Sequence, residues 1–299
     1  MSQMKGGLVI LNDMINSLPP SEQKIANYIL LHPEDSILLT ALQLGEKSET
    51  SSAAVIRLCK SLGFNGFQEL KLRVAGDLRV NESGGYRDIE PNEEYAKIIE
   101  KVNTNTIQTL KDTVDILNMD QIKEAVQLLI RARSILFVGF GASYIAAKDA
   151  EQKFLRVNKQ VHSFSDLHMA ATAIANKGSE DVVIGISFSG DTFEVTKLLE
   201  MANNNNCNTI SITKYGNSSV ASIADTNLYI SAAKEATFRS GATASRIAQL
   251  HLIDVLFMCY ASEEYDKTVE RLDSTREALS SFKQQFDTKR KIKIKRDKG

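Results

Sequence analysis

The sequence predicts an all-helical amino-terminal domain joined to an α/β domain with a five-stranded parallel sheet of flavodoxin-like order. Three observations predict it. Up to about residue 78, apolar residues recur at helical spacing with no strand-like run among them. From about residue 120, five short apolar runs alternate with helical patterns, as the crossovers of a parallel sheet require. One of those runs, Val182-Val183-Ile184-Gly185-Ile186, breaks into Ser187, Ser189, Gly190 and Thr192 just where a new helical pattern begins (Val195, Leu198, Leu199, Ala202).

The bulk numbers exclude several function classes. A chain of 299 residues is long enough for two domains, and 43% hydrophobic with 24% charged residues is ordinary for a soluble globular protein. The net charge of -1 carries no global basic signal, so any nucleic-acid contact must come from a local patch. The amino terminus has no basic stretch followed by an apolar one, and the apolar runs fall far short of the roughly 20 residues of a membrane span. A cytoplasmic location with no membrane partner is expected. Cys59, Cys207 and Cys259 are dispersed and form no C-x-x-C pair, which predicts buried thiols rather than a zinc site. His162 and His168 lack a nearby cysteine or a well-placed carboxylate, so no metal and no cofactor are expected.

In the first domain, placed at 1–78, Leu8, Leu11 and Ile15 begin an apolar face. Pro19-Pro20-Ser21 opens a helix carrying Ile25, Ile29 and Leu30 inward, and His32-Pro33 stops it. Thr40 with Gln43 is a capping-box signature for a short helix, Ala41 to Lys47. After the turn Ser48-Glu49-Thr50, a second helix is predicted from about Ser51 to Leu62, ended by Gly63. Short helix, tight turn, longer helix is the helix-turn-helix pattern. Val55, Ile56, Cys59 and Leu62 are expected to face inward. Ser51 and Ser52 are placed to approach base edges, and Arg57 and Lys60 to reach phosphates or guanine. Lys71 and Arg73 are candidates for further backbone contacts. The bland alternative is a helical bundle with a solvated polar face.

Three stretches carry a resemblance: Ser21 to Leu30, Ser52 to Phe64, and Gly66-Phe67-Gln68-Glu69-Leu70-Lys71. Together they resemble the amino-terminal domain of RpiR-family bacterial transcription regulators, which implies operator DNA as partner. Two positions depart from the pattern: Glu49 stands where such turns often carry Gly, and Gly45 where they often carry Ala.

Residues 79–119 are expected to be a linker, with a hinge near Gly84-Gly85 and a helix from about Asn92 to Leu117. Asp120 is expected to cap the next helix, which runs through Ile130. The second domain, 120–264, has its strand-like runs at Ile135 to Gly139, Gln160 to Phe164, Val182 to Ser187, Asn208 to Thr213 and Asn227 to Ile230. In the order 2-1-3-4-5, strands one and three meet at the topological switch point, outside whose carboxyl ends ligands bind. Gly139-Phe140-Gly141-Ala142-Ser143 follows the first strand and the serine turn the third, so both point at one crevice suited to a phosphate. Read alone, the hydroxyls of the serine turn could equally be N-caps. A dinucleotide site is the rival, with Gly139-x-Gly141 and Asp166, but Tyr144 occupies the place of the third glycine.

These turns, with Arg239-Ser240-Gly241-Ala242 and Ser245-Arg246-Ile247-Ala248-Gln249-Leu250, resemble the sugar isomerase (SIS) domain over about 123 to 263. The resemblance implies that Ser187, Ser189, Gly190 and Thr192 hold the phosphate of a sugar, with Ser143 beside the sugar. In SIS-domain enzymes a glutamate in the region of Glu235 serves as base; in regulators that position is expected to contact the ligand. No catalytic residue is therefore assigned. Overall similarity points to the branch that controls N-acetylmuramic acid or related amino-sugar use, with N-acetylmuramic acid 6-phosphate as effector. The alternatives are a sugar-phosphate isomerase or etherase with an accessory helical domain, and an empty SIS fold serving only to dimerise.

The last segment, 265–299, is expected to hold a long helix and a densely basic tail, Lys289 to Lys298, for which a solvated, disordered state is the commoner fate. SIS-domain helices of this kind commonly form dimer surfaces, so a homodimer or homotetramer is expected. The combined expectation is a repressor whose second domain senses a phosphorylated sugar.

Overall fold

The computed structural model describes residues 6–78, 92–231 and 242–296. The expected hinge at Gly84-Gly85, Glu235 and the stretch Arg239-Ser240-Gly241 lie outside them.

Six helices make the amino-terminal bundle: α1 (Gly7–Met14), α2 (Pro20–Leu31), α3 (Pro33–Ser36), α4 (Ala41–Lys47), α5 (Ser52–Ser61) and α6 (Phe67–Leu78). The capping box forms as its sequence dictates: Gln43 N donates to Thr40 Oγ1 (3.3 Å), and Thr40 N donates to Gln43 Oε1 (2.9 Å). Between α4 and α5 the chain turns at Glu49, whose φ of 54° lies in the left-handed region. A residue with a Cβ adopts it at a cost of roughly 1 kcal/mol, which explains why glycine is common in such turns. Gly45 is needed for a different reason. A Cβ there would come within 2.8 Å of the Ser51 carbonyl carbon, so glycine lets α4 lie directly against the start of α5.

Ile10, Leu11, Ile25, Ile29, Leu44, Val55, Leu58, Leu62 and Leu70 fill the bundle core. Ile56, expected inside, is 42% exposed. At 100° per residue it falls on the outer face with Ala53, Arg57 and Lys60, and Ala54 and Leu58 take the inner positions. Lys71 and Arg73 are internal ties rather than outward arms. Lys71 Nζ donates to Leu39 O (3.0 Å), and Arg73 pairs with Glu69 (3.1 Å) while stacking over Phe64. Asp77, in the last turn of α6, accepts from Gly6 N and Leu8 N at 2.7 Å each and so ties the bundle's end to its beginning.

Helices α7 (Tyr95–Ile116) and α8 (Met119–Arg131) lead into the α/β unit. Asn118, not Asp120, caps α8: its Oδ1 accepts from Asp120 N (2.9 Å) and Gln121 N (3.3 Å). Asp120 sits inside the first turn, where its charge suits the helix dipole. The strands are β1 (Ser134–Gly139), β2 (Gln160–Phe164), β3 (Asp181–Ile186), β4 (Asn208–Lys214) and β5 (Thr226–Ile230), all parallel, in order β2-β1-β3-β4-β5. Helices α9 (Ala142–Leu155), α10 (Leu167–Ile174), α11 (Phe193–Asn204) and α12 (Ser219–Ile223) make the crossovers, followed by α13 (Ala244–Glu263) and α14 (Tyr265–Arg296).

Alternate residues of the strands serve opposite faces. Ile135, Phe137, Ile184 and Ile212 pack against α8, α9 and α13; Leu136, Val138 and Val183 pack against α10, α11 and α12. The helical backbone of α14 continues to Arg296, well into the basic run for which disorder was expected. Among the described residues no helix is long and apolar enough to cross a membrane.

Below the sheet, the fully buried Asp181 accepts from Arg133 Nη2 (2.5 Å), Ser134 Oγ (2.7 Å) and Gly178 N (3.0 Å). Burial opposes its charge, but these donors win and hold its pKa down at about 2. A depressed carboxylate stabilises the fold above its unfolded value, near 3.9, and the contribution is lost as pH falls toward 2. Asp181→Asn is therefore expected to cost about 1–2 kcal/mol at pH 7. In urea unfolding over a pH series, the gap between variant and wild type should close between about pH 4 and pH 2.

Candidate functional site

Gly139, the last residue of β1, pairs with Ile186, the last of β3. The two turns therefore leave the sheet side by side, one into α9 and the other into α11. The serine turn is fastened to the sheet beyond β3 itself. Ser187 N donates to Ile212 O (3.0 Å), and Lys214 N donates to Phe188 O (3.0 Å), continuing the β3–β4 ladder.

Within the turn the hydroxyls converge. Ser187 Oγ shares a hydrogen bond of 2.8 Å with Thr192 Oγ1 and lies 3.5 Å from Ser189 Oγ. Gly190 N donates to Ser187 Oγ (3.1 Å), and Asp191 N donates to Ser189 Oγ (3.3 Å). Ser187 is buried, whereas Ser189 and Thr192 are half-buried. Gly190 has φ +77°, and a Cβ on it would overlap Ser218. Its carbonyl accepts from Val220 N (2.8 Å), and Asp191 Oδ1 accepts from Ser219 N (3.1 Å) and Ser219 Oγ (3.0 Å). The start of α12 thus braces the turn from behind.

Thr40, Ser51, Asn118, Asp166 and Ser218 all cap their helices with their side chains. Thr192 does not cap α11, and Gly141, at the head of α9, has no side chain to do so. Two helix amino termini, each with the positive end of its dipole, therefore face the crevice without a side-chain acceptor of their own. The turn carries no Lys or Arg. An anion here meets hydroxyls and backbone amides, which hold it through charge-assisted hydrogen bonds.

Ser143, in the first turn of α9, is buried, and its hydroxyl accepts from Gln249 Nε2 at 3.0 Å. Gln249 is a residue to which the sequence alone assigns no role. The signal was there: a lone amide on the inward face of α13, between Ala248 and Leu252. The dinucleotide rival loses its acid, because Asp166 accepts from Met169 N (2.8 Å) as the cap of α10. No group of three or more His, Cys, Asp or Glu is placed to hold a metal among the described residues. Burial pushes the Cys59 thiol up to about 11, so it stays protonated and packs as a small apolar group.

The second candidate surface is the outer face of α5. Ala53, Ile56, Arg57 and Lys60 are all exposed at i, i+3, i+4 and i+7 spacing. Ser52 is half-buried. Ser51 Oγ accepts from Ala54 N (3.2 Å), so its lone pair serves the helix and its proton remains to be donated.

Comparison with known proteins follows the same division. A helix-turn-helix domain of the rpiR family matches residues 5–81, and the SIS domain matches residues 128–259. The HTH-type transcriptional regulator YbbH of Bacillus subtilis is 48% identical over 93% of this chain and 98% of its own. The HTH-type transcriptional regulator TTE0211 of Caldanaerobacter subterraneus is 38% identical over 92% of this chain and 98% of its own. Among solved structures, the Vibrio vulnificus NanR protein complexed with ManNAc-6P is similar with a TM-score of 0.58 at 25% identity, over 92% of this chain and 98% of that one. The sugar isomerase domain of an RpiR transcription factor from Sphaerobacter thermophilus shares the fold (TM-score 0.54, 22% identity) over 60% of this chain and 99% of its own.

The brace behind the turn predicts a stability effect. Gly190→Ala combines a left-handed φ with overlap on Ser218 and is expected to destabilise the protein by about 1–3 kcal/mol. Thermal melting of the purified variant checks this; an unchanged melting temperature would mean that the turn can relax without cost.

Proposed function

This chain belongs to the RpiR family of transcriptional regulators, with a helix-turn-helix domain followed by a SIS domain, and we propose from that premise that it binds operator DNA under the control of a phosphorylated sugar. Relatives that align along most of the chain are HTH-type transcriptional regulators, which supports a regulator rather than an enzyme. The observation that carries the reading is the convergence of Ser187, Ser189 and Thr192 hydroxyls on two helix ends that no side chain caps. A phosphate dianion satisfies both the hydroxyls and the dipoles.

In this reading Ser187, Ser189, Thr192 and the backbone about Gly190 hold the phosphate, and Ser143, oriented by Gln249, meets the sugar. Glu235 contacts a sugar hydroxyl. N-acetylmuramic acid 6-phosphate or a related amino-sugar phosphate is the effector. An amino-sugar phosphate class is supported by the Vibrio vulnificus relative complexed with ManNAc-6P. Helix α5 enters the major groove, with Ser51 and Ser52 at base edges and Arg57 and Lys60 on phosphates or guanine. Exposed Ile56 is suited to a thymine methyl. A homodimer or homotetramer is supported by exposed Tyr95 and Ile99 on α7 and Leu279 and Phe282 on α14. The protein acts in the cytoplasm as a repressor that the phosphosugar releases.

Fluorescence anisotropy on DNA from the gene's own upstream region, at fixed salt, tests the reading against a panel of sugar phosphates. One phosphosugar is expected to change a tight, specific affinity. Ser189→Ala should weaken that ligand about 10- to 100-fold, as loss of one charge-assisted hydrogen bond implies, and leave ligand-free DNA binding intact. Arg57→Ala should do the reverse, lowering operator affinity and reducing the salt slope by about one charge. Retained operator affinity in Arg57→Ala would remove α5 from the interface. Loss of both functions in Ser189→Ala would indicate a folding defect.

A further inference from the structure

The serine turn and the DNA-reading helix are connected through one short loop. Lys214 ends β4, and its N–H is bonded to Phe188 O of the serine turn (3.0 Å). Four residues later, Ser218 lies under Gly190, and Ser219 is held by Asp191. Both ends of the loop therefore rest on the turn. Between them stands Tyr215, whose hydroxyl donates to Leu62 O at 2.9 Å. Leu62 is the C-cap of α5, so this bond crosses from the α/β unit to one of the carbonyls left unpaired at the end of that helix.

Tyr215 is not a loose side chain. Its N–H donates to Ile230 O at the end of β5 (3.1 Å), and its ring stacks on Tyr229 with centroids 4.9 Å apart. Both rings pack against the bundle core. Burial pushes the Tyr215 hydroxyl up to about 12, so it keeps its proton at physiological pH and remains a donor. Beside the contact opens a cleft of about 960 Å³ between bundle and sheet, lined by Phe64, Arg73, Asp115, Asn118 and Asn227 among others.

Resting on the proposed effector site, we infer that the β4–α12 loop is the relay between the two sites, with Tyr215 as its positioning residue. A phosphate that draws Ser187, Ser189 and Gly190 together moves Phe188 and the Ser218–Ser219 brace. The loop carries the movement to Tyr215, and Tyr215 changes the angle at which α5 presents Arg57 and Lys60. Allosteric coupling needs such a contiguous element, biased from both ends.

The test uses the full-length protein on its upstream DNA, with N-acetylmuramic acid 6-phosphate and ManNAc-6P as probes. Tyr215→Phe keeps the ring on Tyr229 and removes only the bond to Leu62. The phosphosugar-induced change in operator affinity is expected to shrink about 3- to 10-fold, the effect of losing one hydrogen bond. Calorimetric phosphosugar affinity without DNA should stay within about twofold, since no group at the site is altered. A wild-type response in both Tyr215→Phe and Tyr215→Ala overturns the relay. A second arm needs no ligand. Asp191→Ala releases the Ser219 brace, and its effect on operator affinity is measured with and without Tyr215→Phe. The relay requires the two effects to be non-additive by at least about twofold. Where the wild type binds a phosphosugar, the ligand response decides. Where it binds neither probe, that effector assignment fails and the cycle alone decides; additive effects then overturn the relay.

Discussion

Parallel pairing of β1 with β3 is the constraint from which the candidate site follows. Parallel strands end at the same edge of the sheet, and each must return through a crossover helix. Because Gly139 pairs with Ile186, the turns into α9 and α11 start from adjacent positions. Two positive helix ends placed side by side repel each other. An anion held at the serine turn reduces that repulsion. The fold thus creates the electrostatic need that the proposed ligand satisfies.

The turn is tied to its neighbours before any ligand arrives. The ladder bonds at Ser187 and Phe188, the overlap that reserves Gly190 for glycine, and the Asp191–Ser219 contacts couple it to β4 and to the start of α12. Hydroxyls and amides also suit a reversible sensor. Each charge-assisted bond contributes roughly 1.5–3 kcal/mol, enough for recognition without a cluster of lysines that would retain any anion.

The bundle follows a different logic. Its turn accepts a left-handed Glu49, and Gly45, lacking a side chain, lets α4 lie against the start of α5. Its core closes partly on the rest of the chain: Ile116 of α7 is buried within it, and Tyr215 and Tyr229 pack against it. The carboxyl end of α5 is therefore anchored to the α/β unit while its outer face, with Arg57 and Lys60, stays open. Because Ala54, Val55, Leu58 and Cys59 are buried in the bundle core, α5 can change its angle to the sheet only together with the bundle.

Periodicity and punctuation made much of this legible in advance. The strand runs, the capping box at Thr40, the proline entry to α2 and the glycine stop at Gly63 are local features, set by a few neighbouring residues, and they appear where the sequence places them. Both Ser/Gly-rich turns were also readable as breaks between an apolar run and a helical pattern, and the flavodoxin-like order, assumed rather than derived from the alternation, is the one the sheet has. Errors fell where two local signals competed or where a face had to be assigned. Asn118 took the cap expected of Asp120, and Ile56 turned outward because Ala54 and Leu58 already fill the inner face. Lys71 and Arg73, candidates for backbone contacts, also have partners within the bundle, Leu39 and Glu69, that spacing alone does not show. Gln249 on Ser143 and Tyr215 on Leu62 join residues more than a hundred positions apart. Composition and spacing determined which elements form and where each turn falls, since those depend on short-range sterics and hydrogen bonds. Only the packed structure decided which side chains meet across elements, because that choice depends on how whole helices seat against the sheet.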